Sequence, residues 1–156
     1  MPSITVLDST GATQTVQTVP AVGPAAGVNS LPFVPATDTY ALLPSVSTNV
    51  LLSATATTNP TSLKTSLGAI KSIQGYNAKA SPVYLKLYNK ASPPTVGTDT
   101  PVKTLYIPAT SAFVFDFSAG YVFSTGIAYA LTGAAAISDT TALAVGDILC
   151  LNIDYI

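Results

Sequence analysis

Side chains that could carry out catalysis or bind metal are scarce in this sequence. The 156 residues include no histidine, glutamate or arginine, and one cysteine, Cys150. Nucleophilic catalysis by a Ser-His-Asp or Cys-His arrangement needs a histidine, and structural zinc sites are built from His and Cys. The segment "GAIKS" at 68–72 lacks the first glycine and the spacing of a phosphate-binding loop. The sequence therefore predicts no catalytic residue, no cofactor and no metal.

The acidic side chains are all aspartates, and their spacing does not favour paired-carboxylate chemistry. Asp147 and Asp154 are predicted to lie on one strand, seven positions apart, so they would project from opposite faces. Asp99 and Asp139 fall in turn-rich segments, where aspartate commonly bonds its own backbone. Calcium held with backbone carbonyls is the alternative for these two. Asp116 lies among phenylalanines, where a carboxylate needs a lysine or backbone donors, and a structural role is favoured.

Cysteine and tyrosine allow two further interpretations. Cys150 lies between leucines in the last predicted strand, which favours a small, buried hydrophobic residue. Tyr84, Tyr88 and Tyr106 have rings that could stack on sugars. Ordinary core or interface packing is the favoured interpretation for these tyrosines.

The chain is unusually poor in charge. Charged residues make up 8% of the sequence and the net charge is -1, whereas about 25% is usual in soluble domains. This leaves no basic stripe for nucleic acid. No apolar run approaches the roughly 20 residues that span a bilayer, and the N-terminus lacks the pattern of a secretory signal. We therefore expect synthesis in a cytoplasm, no nucleic-acid or membrane partner, and a surface that packs against neighbouring protein.

An arm is predicted over residues 1–38. Residues 3–19 alternate as a hairpin around the turn "DSTG", and residues 20–35 are rich in proline and glycine, which predicts an extended linker. A two-stranded hairpin is not stable alone, so the arm should dock on another surface. The predicted anchoring residues are Ile4, Val6, Leu7, Val16, Leu31 and Phe33.

Residues 39–156 predict an all-β domain. Short strands separated by turn signals are typical of a sandwich or barrel, and we predict an antiparallel, jelly-roll-like β-sandwich. The predicted strands cover 39–43, 46–56, 67–76, 82–89, 102–107, 111–117, 120–131 and 146–156.

Alternation within these strands predicts which side chains form the core. Three such sets are Val83, Leu85 and Leu87; Phe113, Phe115 and Phe117; and Leu149, Leu151, Ile153 and Tyr155. The opposite face of the 82–89 strand carries Tyr84, Lys86 and Tyr88. It is apolar enough to need a partner. Tyr84, Tyr88 and Tyr106 are therefore predicted to make contacts between sandwiches.

Two segments carry a family resemblance. "PVYLKLYNKASPPTVGTDTPVKTLYIPA" and "GYVFSTGIAYALTGAAAISDTTALAVGDI" resemble structural proteins of tailed bacteriophages and their prophage-encoded relatives. The resemblance covers about residues 67–156 and brings no catalytic residues. It implies a virion component that is synthesised in the cytoplasm of a host bacterium.

These observations lead to a functional hypothesis. We expect a capsid decoration (cement) protein, or the base of a head spike or fibre, whose arm binds the major capsid protein or other virion proteins. Its sandwiches would self-associate, with a trimer favoured. The alternative is a tail or baseplate receptor-binding module that grips glycan through its tyrosines. An enzyme is the least favoured class, because the aspartates do not pair.

Overall fold

The computed structural model describes residues 45–156, together with the strands β1 (Ile4–Leu7) and β2 (Thr13–Val16). The chain divides into two units, Met1–Leu43 and Pro44–Ile156. In the first unit β1 and β2 pair antiparallel, with Ile4 opposite Val16 and Leu7 opposite Thr13. This pairing confirms the predicted hairpin. The predicted strand at 39–43 lies outside the described residues.

The second unit is a sandwich of two four-stranded antiparallel sheets. Sheet I has the strand order β3-β10-β5-β8, and sheet II has the order β4-β9-β6-β7. The chain crosses between the sheets after every strand except β6, which is the order of a jelly roll. The predicted fold class is confirmed. The strands are β3 (Ser47–Ser53), β4 (Thr61–Lys64), β5 (Gly68–Asn77), β6 (Val83–Asn89), β7 (Lys103–Ile107), β8 (Ser111–Phe123), β9 (Ile127–Thr132) and β10 (Ile148–Tyr155).

The hydrophobic core lies between the two sheets. Strand β6 contributes Val83, Leu85 and Leu87, all fully buried, as its alternation predicts. Complete burial of a large aliphatic side chain contributes about 1.5–3 kcal/mol. Other buried members come from both sheets and include Ile70, Ile73, Phe113, Phe123, Ile127, Tyr129, Leu131, Ile148, Leu151 and Ile153.

Two strand predictions differ from the structure in extent. The predicted 120–131 strand is the end of β8 followed by β9 in the other sheet, with a break at 124–126. Strand β8 continues past Phe117 because an irregularity around Gly120, with φ of 83°, lets pairing with β5 resume at Tyr121. Strand β4 was not predicted, because its four residues, TSLK, carry no clear alternation.

The prediction for the last strand fails around Cys150. Cys150 is exposed rather than buried, and its φ is 50°. The register against β5 shifts between Leu149 and Asn152, so β10 contains a bulge. The bulge changes the phase of the alternation. Alternation from the predicted core residue Leu149 would turn Ile148 outward, but Ile148 is fully buried and Leu149 is half-buried.

Two aspartates also lie in different surroundings from those predicted. Asp116 lies among the phenylalanines in sequence, but its side chain is on the outer face of β8 and is exposed. It needs no buried partner there. Asp147 precedes β10, in a turn, and its carboxylate lies 3.1 Å from the Lys79 ammonium. The two predicted strand carboxylates, Asp147 and Asp154, therefore do not share a strand.

Candidate interaction surfaces

The outer face of the two central strands of sheet II, β9 and β6, is covered by the chain itself. Two segments lie over it, residues 90–102 and 133–142, and we call them the covering loops. Beneath them the Lys86 side chain is 0% exposed. Its Nζ donates hydrogen bonds to the backbone oxygens of Ala136, at 2.6 Å, and Asp139, at 3.3 Å. Burial lowers the pKa of Lys86, and the Asp139 carboxylate partly opposes that shift. Lys86 thus connects a central strand to a covering loop.

A small apolar cluster lies under the first covering loop. Tyr88, Ala128 and Ala130 are buried there, and Val96 of the loop packs on them. The hydroxyl group of Tyr88 is buried and has no hydrogen-bond partner among the described residues. Burial, together with the nearby Asp99, raises the pKa of this tyrosine.

The carboxylate of Asp99 fixes the first covering loop. It pairs with the Lys90 ammonium and accepts a 2.7 Å hydrogen bond from the Thr95 amide. The Lys90 hydrogen bond is the main reason why the pKa of Asp99 lies below its ordinary value.

The carboxylate of Asp139 fixes the second covering loop in a similar way. It accepts hydrogen bonds from the Ala134 amide, at 2.9 Å, and the Thr141 hydroxyl, at 2.7 Å. Burial alone would raise the pKa of Asp139, but these hydrogen bonds outweigh it and lower the pKa. Asp99 and Asp139 therefore act as turn residues. No group of three or more potential metal-ligating side chains occurs among the residues described.

The three tyrosines predicted to contact neighbours are separated by these loops. Tyr88 is 1% exposed and cannot reach a partner beneath its loop, which removes it from the predicted contact set. Tyr106 is 55% exposed, and its ring meets the half-buried Tyr84 edge-to-face, with ring centres 5.7 Å apart. This pair remains at the surface of sheet II. Sequence alternation alone had placed all three on one free face.

The predicted arm contacts lie in the first unit of the chain. For Ile4, Val6, Leu7 and Val16 the structure gives strand pairing only. Leu31 and Phe33 lie outside the described residues. Their role as anchors stays a prediction.

The outer face of sheet I is left uncovered by the described residues of the second unit, and we call it the open face. Val50 is 52% exposed, Leu52 72% and Val114 69%. Val50 and Val114 lie in one cross-strand row, joined through Asn152 and Gln74. The sequence analysis did not single out these residues. Alternation within 46–56 was the available signal, since it sets Val50 and Leu52 on one side.

The neighbouring row of the open face is polar. Asp154 accepts 2.6 Å hydrogen bonds from the hydroxyls of Thr48 and Ser72, on the two flanking strands. The bonds from Ser72 and then Thr48 lower the pKa of Asp154. The Asp154 carboxylate thus links three neighbouring strands of sheet I.

A shallow apolar depression of about 320 Å³ lies at one end of sheet I. Its lining includes Lys64, Leu67, Val122 and Ile156. Leu67 and Val122 are both exposed. The depression extends the apolar character of sheet I toward the β4–β5 turn.

Comparison with protein-family models, curated proteins and solved structures gave no match to this chain. Within the described part of the chain there is no helix with the length and apolar character to cross a membrane.

Proposed function

We propose that this chain is a structural component of a bacteriophage particle. Within the particle it would act as a capsid decoration (cement) protein or as the base of a head spike. It would bind capsid subunits through its N-terminal arm and associate with its own kind through the β-sandwich. The observation that carries this proposal is the open face, where apolar side chains stand exposed, whereas loops cover the central strands on the opposite outer face.

The energetics of the open face favour a structural role. A fully buried Val or Leu side chain contributes about 1.5–3 kcal/mol. Val50, Leu52 and Val114 expose apolar surface to water, and burying that surface against a neighbouring protein would be favourable. The low charge of the whole chain also reduces the cost of burying surface against a neighbour, because few ions must be desolvated. A protein that functions by assembly gains stability from such contacts.

The fold gives support at the level of analogy. Jelly rolls form viral capsid and lectin domains as well as enzymes. The resemblance of the segments at 82–109 and 120–148 to phage structural proteins points to the first of these. The arm, with its hairpin, suits the addition of strands to a neighbour's sheet.

The test is to purify particles from the cells that encode this chain, after prophage induction, by density gradient. Quantitative mass spectrometry should find the chain in the particle band. Hundreds of copies per particle would indicate the head surface, whereas a handful would indicate the tail. Its absence from the band, with other virion proteins present, would refute the virion role.

A truncation tests the arm. Removal of residues 1–38 should leave a folded β domain by circular dichroism that no longer joins particles. The matched control is the full chain with Val145→Lys, which alters an exposed residue of the sandwich outside the open face and leaves the arm intact. Full occupancy by a folded truncated chain would exclude the arm as the anchor.

A glycan-binding module of the tail or baseplate is the second candidate. The specific observation in its favour is the exposed ring of Tyr106, held edge-to-face by Tyr84, since tyrosine rings can stack on sugars. A glycan array probed with the wild-type chain and with Tyr106→Ala separates the candidates. Specific binding that disappears in Tyr106→Ala favours the adhesin, and binding only to capsids favours cement.

A further inference from the structure

The covering loops are held in place by a small set of charged side chains. The first covering loop contains Lys90 and Asp99, and the second contains Asp139. No other charged residue occurs in the sequence of either loop. Lys86 lies on β6 beneath the second loop and bonds to it. The closure of both loops therefore depends on two carboxylates and two ammonium groups.

The two loops cover neighbouring positions of the same two strands. Lys86 lies opposite Ala130 in the β6–β9 register. Tyr88, two residues further along β6, lies opposite Ala128, and all four side chains are buried. The first covering loop packs on Tyr88 through Val96, whereas the second accepts the hydrogen bonds of Lys86. Opening either loop would expose part of one continuous face.

The two covering loops also pack against each other. A Cβ at Gly97 of the first loop would lie 2.6 Å from the Thr140 Cγ2 and 3.4 Å from the Ser138 oxygen of the second loop. The backbone of Gly97 therefore lies directly against the second loop. Because movement of one loop removes packing from the other, we expect the two loops to open together.

Both aspartates stabilise the closed loops as carboxylates. The Lys90 hydrogen bond is the largest cause of the lowered pKa of Asp99. Burial raises the pKa of Asp139, but the hydrogen bonds from Thr141 and Ala134 outweigh burial and leave this pKa lowered as well. The stabilisation that both groups give is therefore fully present above about pH 4. It is lost as the pH falls through their lowered pKa values.

Lys86 adds to the effect of acid on the second loop. Burial lowers the pKa of Lys86, and the nearby Asp139 carboxylate opposes that shift. The penalty for burying the ammonium is complete once the pH lies below this lowered pKa. Protonation of Asp139 removes the opposing charge, so the buried ammonium then favours an open loop. The titratable groups that act on Asp99 and its surroundings are Lys90 and Tyr88.

We propose that the covering loops form one acid-released lid: protonation of their two aspartates frees both loops together and exposes Lys86 and Tyr88, while the sandwich stays folded. The core cluster between the sheets contains no charged side chain among its buried members. With every aspartate protonated, the six lysines leave about +6 on 156 residues, and the self-repulsion of such a chain is weak. Acid should therefore open the loops before it unfolds the sandwich. The inference is independent of the proposed function, whose contacts lie on the arm and the open face.

The test is residue-resolved hydrogen exchange by NMR on the full chain, at neutral pH and at about pH 3, with rates corrected for the intrinsic effect of pH. The reporters are amides bonded to backbone oxygens, that of Asp99 to Thr95 and that of Asp139 to Ala136. Protection of both reporters should fall about tenfold or more in acid, whereas the amides of β5 and β10 keep theirs. Binding of an anilinonaphthalene sulfonate dye should rise over the same pH range, since the dye reports exposed apolar surface.

A pair of variants separates the lid from general acid effects. Asp139→Asn imitates the protonated group and should lower protection in both loops at neutral pH, with unchanged far-UV circular dichroism. Asp116→Asn is the matched control, since it removes the same charge from an exposed aspartate on the outer face of β8, and it should leave both loops protected. If Asp139→Asn opens only the second loop, the loops are separate units and the single lid is refuted. Loops that stay protected at about pH 3, or a sandwich that loses protection at the same pH as the loops, would also overturn the proposal.

Discussion

The two outer faces of the sandwich differ in how far the chain's own loops cover them. On sheet II the loops between β6 and β7 and between β9 and β10 fold back and bury Lys86 and Tyr88. On sheet I the described residues supply no such cover, and Val50, Leu52 and Val114 stand exposed. The strands of both sheets have apolar residues on their outer sides. The two faces therefore differ because of the length and path of the loops. These loops bury the central outer residues of sheet II, whereas the apolar outer residues of sheet I stay exposed.

The largest expected effect comes from placing the same charge on each outer face, which tests whether one is covered and the other exposed. Ala130→Lys buries a second ammonium opposite Lys86, its partner in the β6–β9 register, under the covering loops. It should lower the free energy of unfolding by about 3–5 kcal/mol, because an unpaired buried charge is left. Val114→Lys on the open face should change it by less than about 0.5 kcal/mol. Urea denaturation of both variants measures the difference, and equal effects would contradict the assignment of the two faces.

Removal of the Lys86 ammonium tests its hold on the second covering loop. Lys86→Met keeps much of the side-chain volume but leaves the oxygens of Ala136 and Asp139 without their donor. We expect a loss of about 1–3 kcal/mol of stability and faster hydrogen exchange in residues 133–142. Lys71→Met, at a half-buried lysine of sheet I, is the control and should be nearly neutral. Unchanged exchange in Lys86→Met would show that the loop does not depend on this lysine.

The packing of the two covering loops on each other can be tested at a glycine. Gly97 has φ of 88°, and a Cβ there would lie 2.6 Å from the Thr140 Cγ2 of the other loop. Gly146 has φ of 82° and nothing within 4 Å of such a Cβ. Gly97→Ala and Gly146→Ala should both lose about 1–2 kcal/mol from backbone strain. Gly97→Ala should lose about 1 kcal/mol more from crowding, measured by thermal melts. Identical losses would mean that the loops do not press on each other.

The Tyr88 hydroxyl should be dispensable for stability. It is buried without a hydrogen-bond partner in the described part of the chain, and an unsatisfied buried group costs free energy. Tyr88→Phe should therefore raise the free energy of unfolding by up to about 1 kcal/mol, seen as a higher Tm. Tyr106→Phe, at the exposed ring, should have no effect. A destabilised Tyr88→Phe would reveal a partner for this hydroxyl.

The smallest expected effect concerns pH on the open face. The hydrogen bonds from Ser72 and Thr48 lower the pKa of Asp154 below its ordinary value of 3.8. The stability it contributes is therefore fully present above about pH 4 and is lost as pH falls through the lowered pKa. Because this half-buried carboxylate lies at the surface of the sheet, where solvent screens it, its contribution should be about 0.5 kcal/mol. Asp154→Asn should flatten the acid limb of stability against pH, whereas an unchanged limb would mean that these bonds contribute nothing.

Much of the sandwich could be predicted from strand alternation. In β6 the alternation correctly assigned Val83, Leu85 and Leu87 to the core, because successive side chains of a regular strand project to opposite faces. The prediction failed at β10, where the bulge at Cys150 shifts the phase. A bulge of this kind leaves no mark in the residue types around it. The short strand β4 was missed because only its partner β9 makes it a strand.

The candidate contact surface was predicted less well, since alternation shows which residues share a side but not whether that side is covered. By itself the sequence determined the all-β class, the hairpin of the arm and a surface poor in charge, since these follow from residue types and short-range periodicity. Only the tertiary structure decided that Lys86 and Tyr88 are buried and that Val50 is exposed. Lys86 bonds a backbone oxygen 50 residues further along the chain, and such long-range closure depends on the path of the loops, which local patterns do not encode.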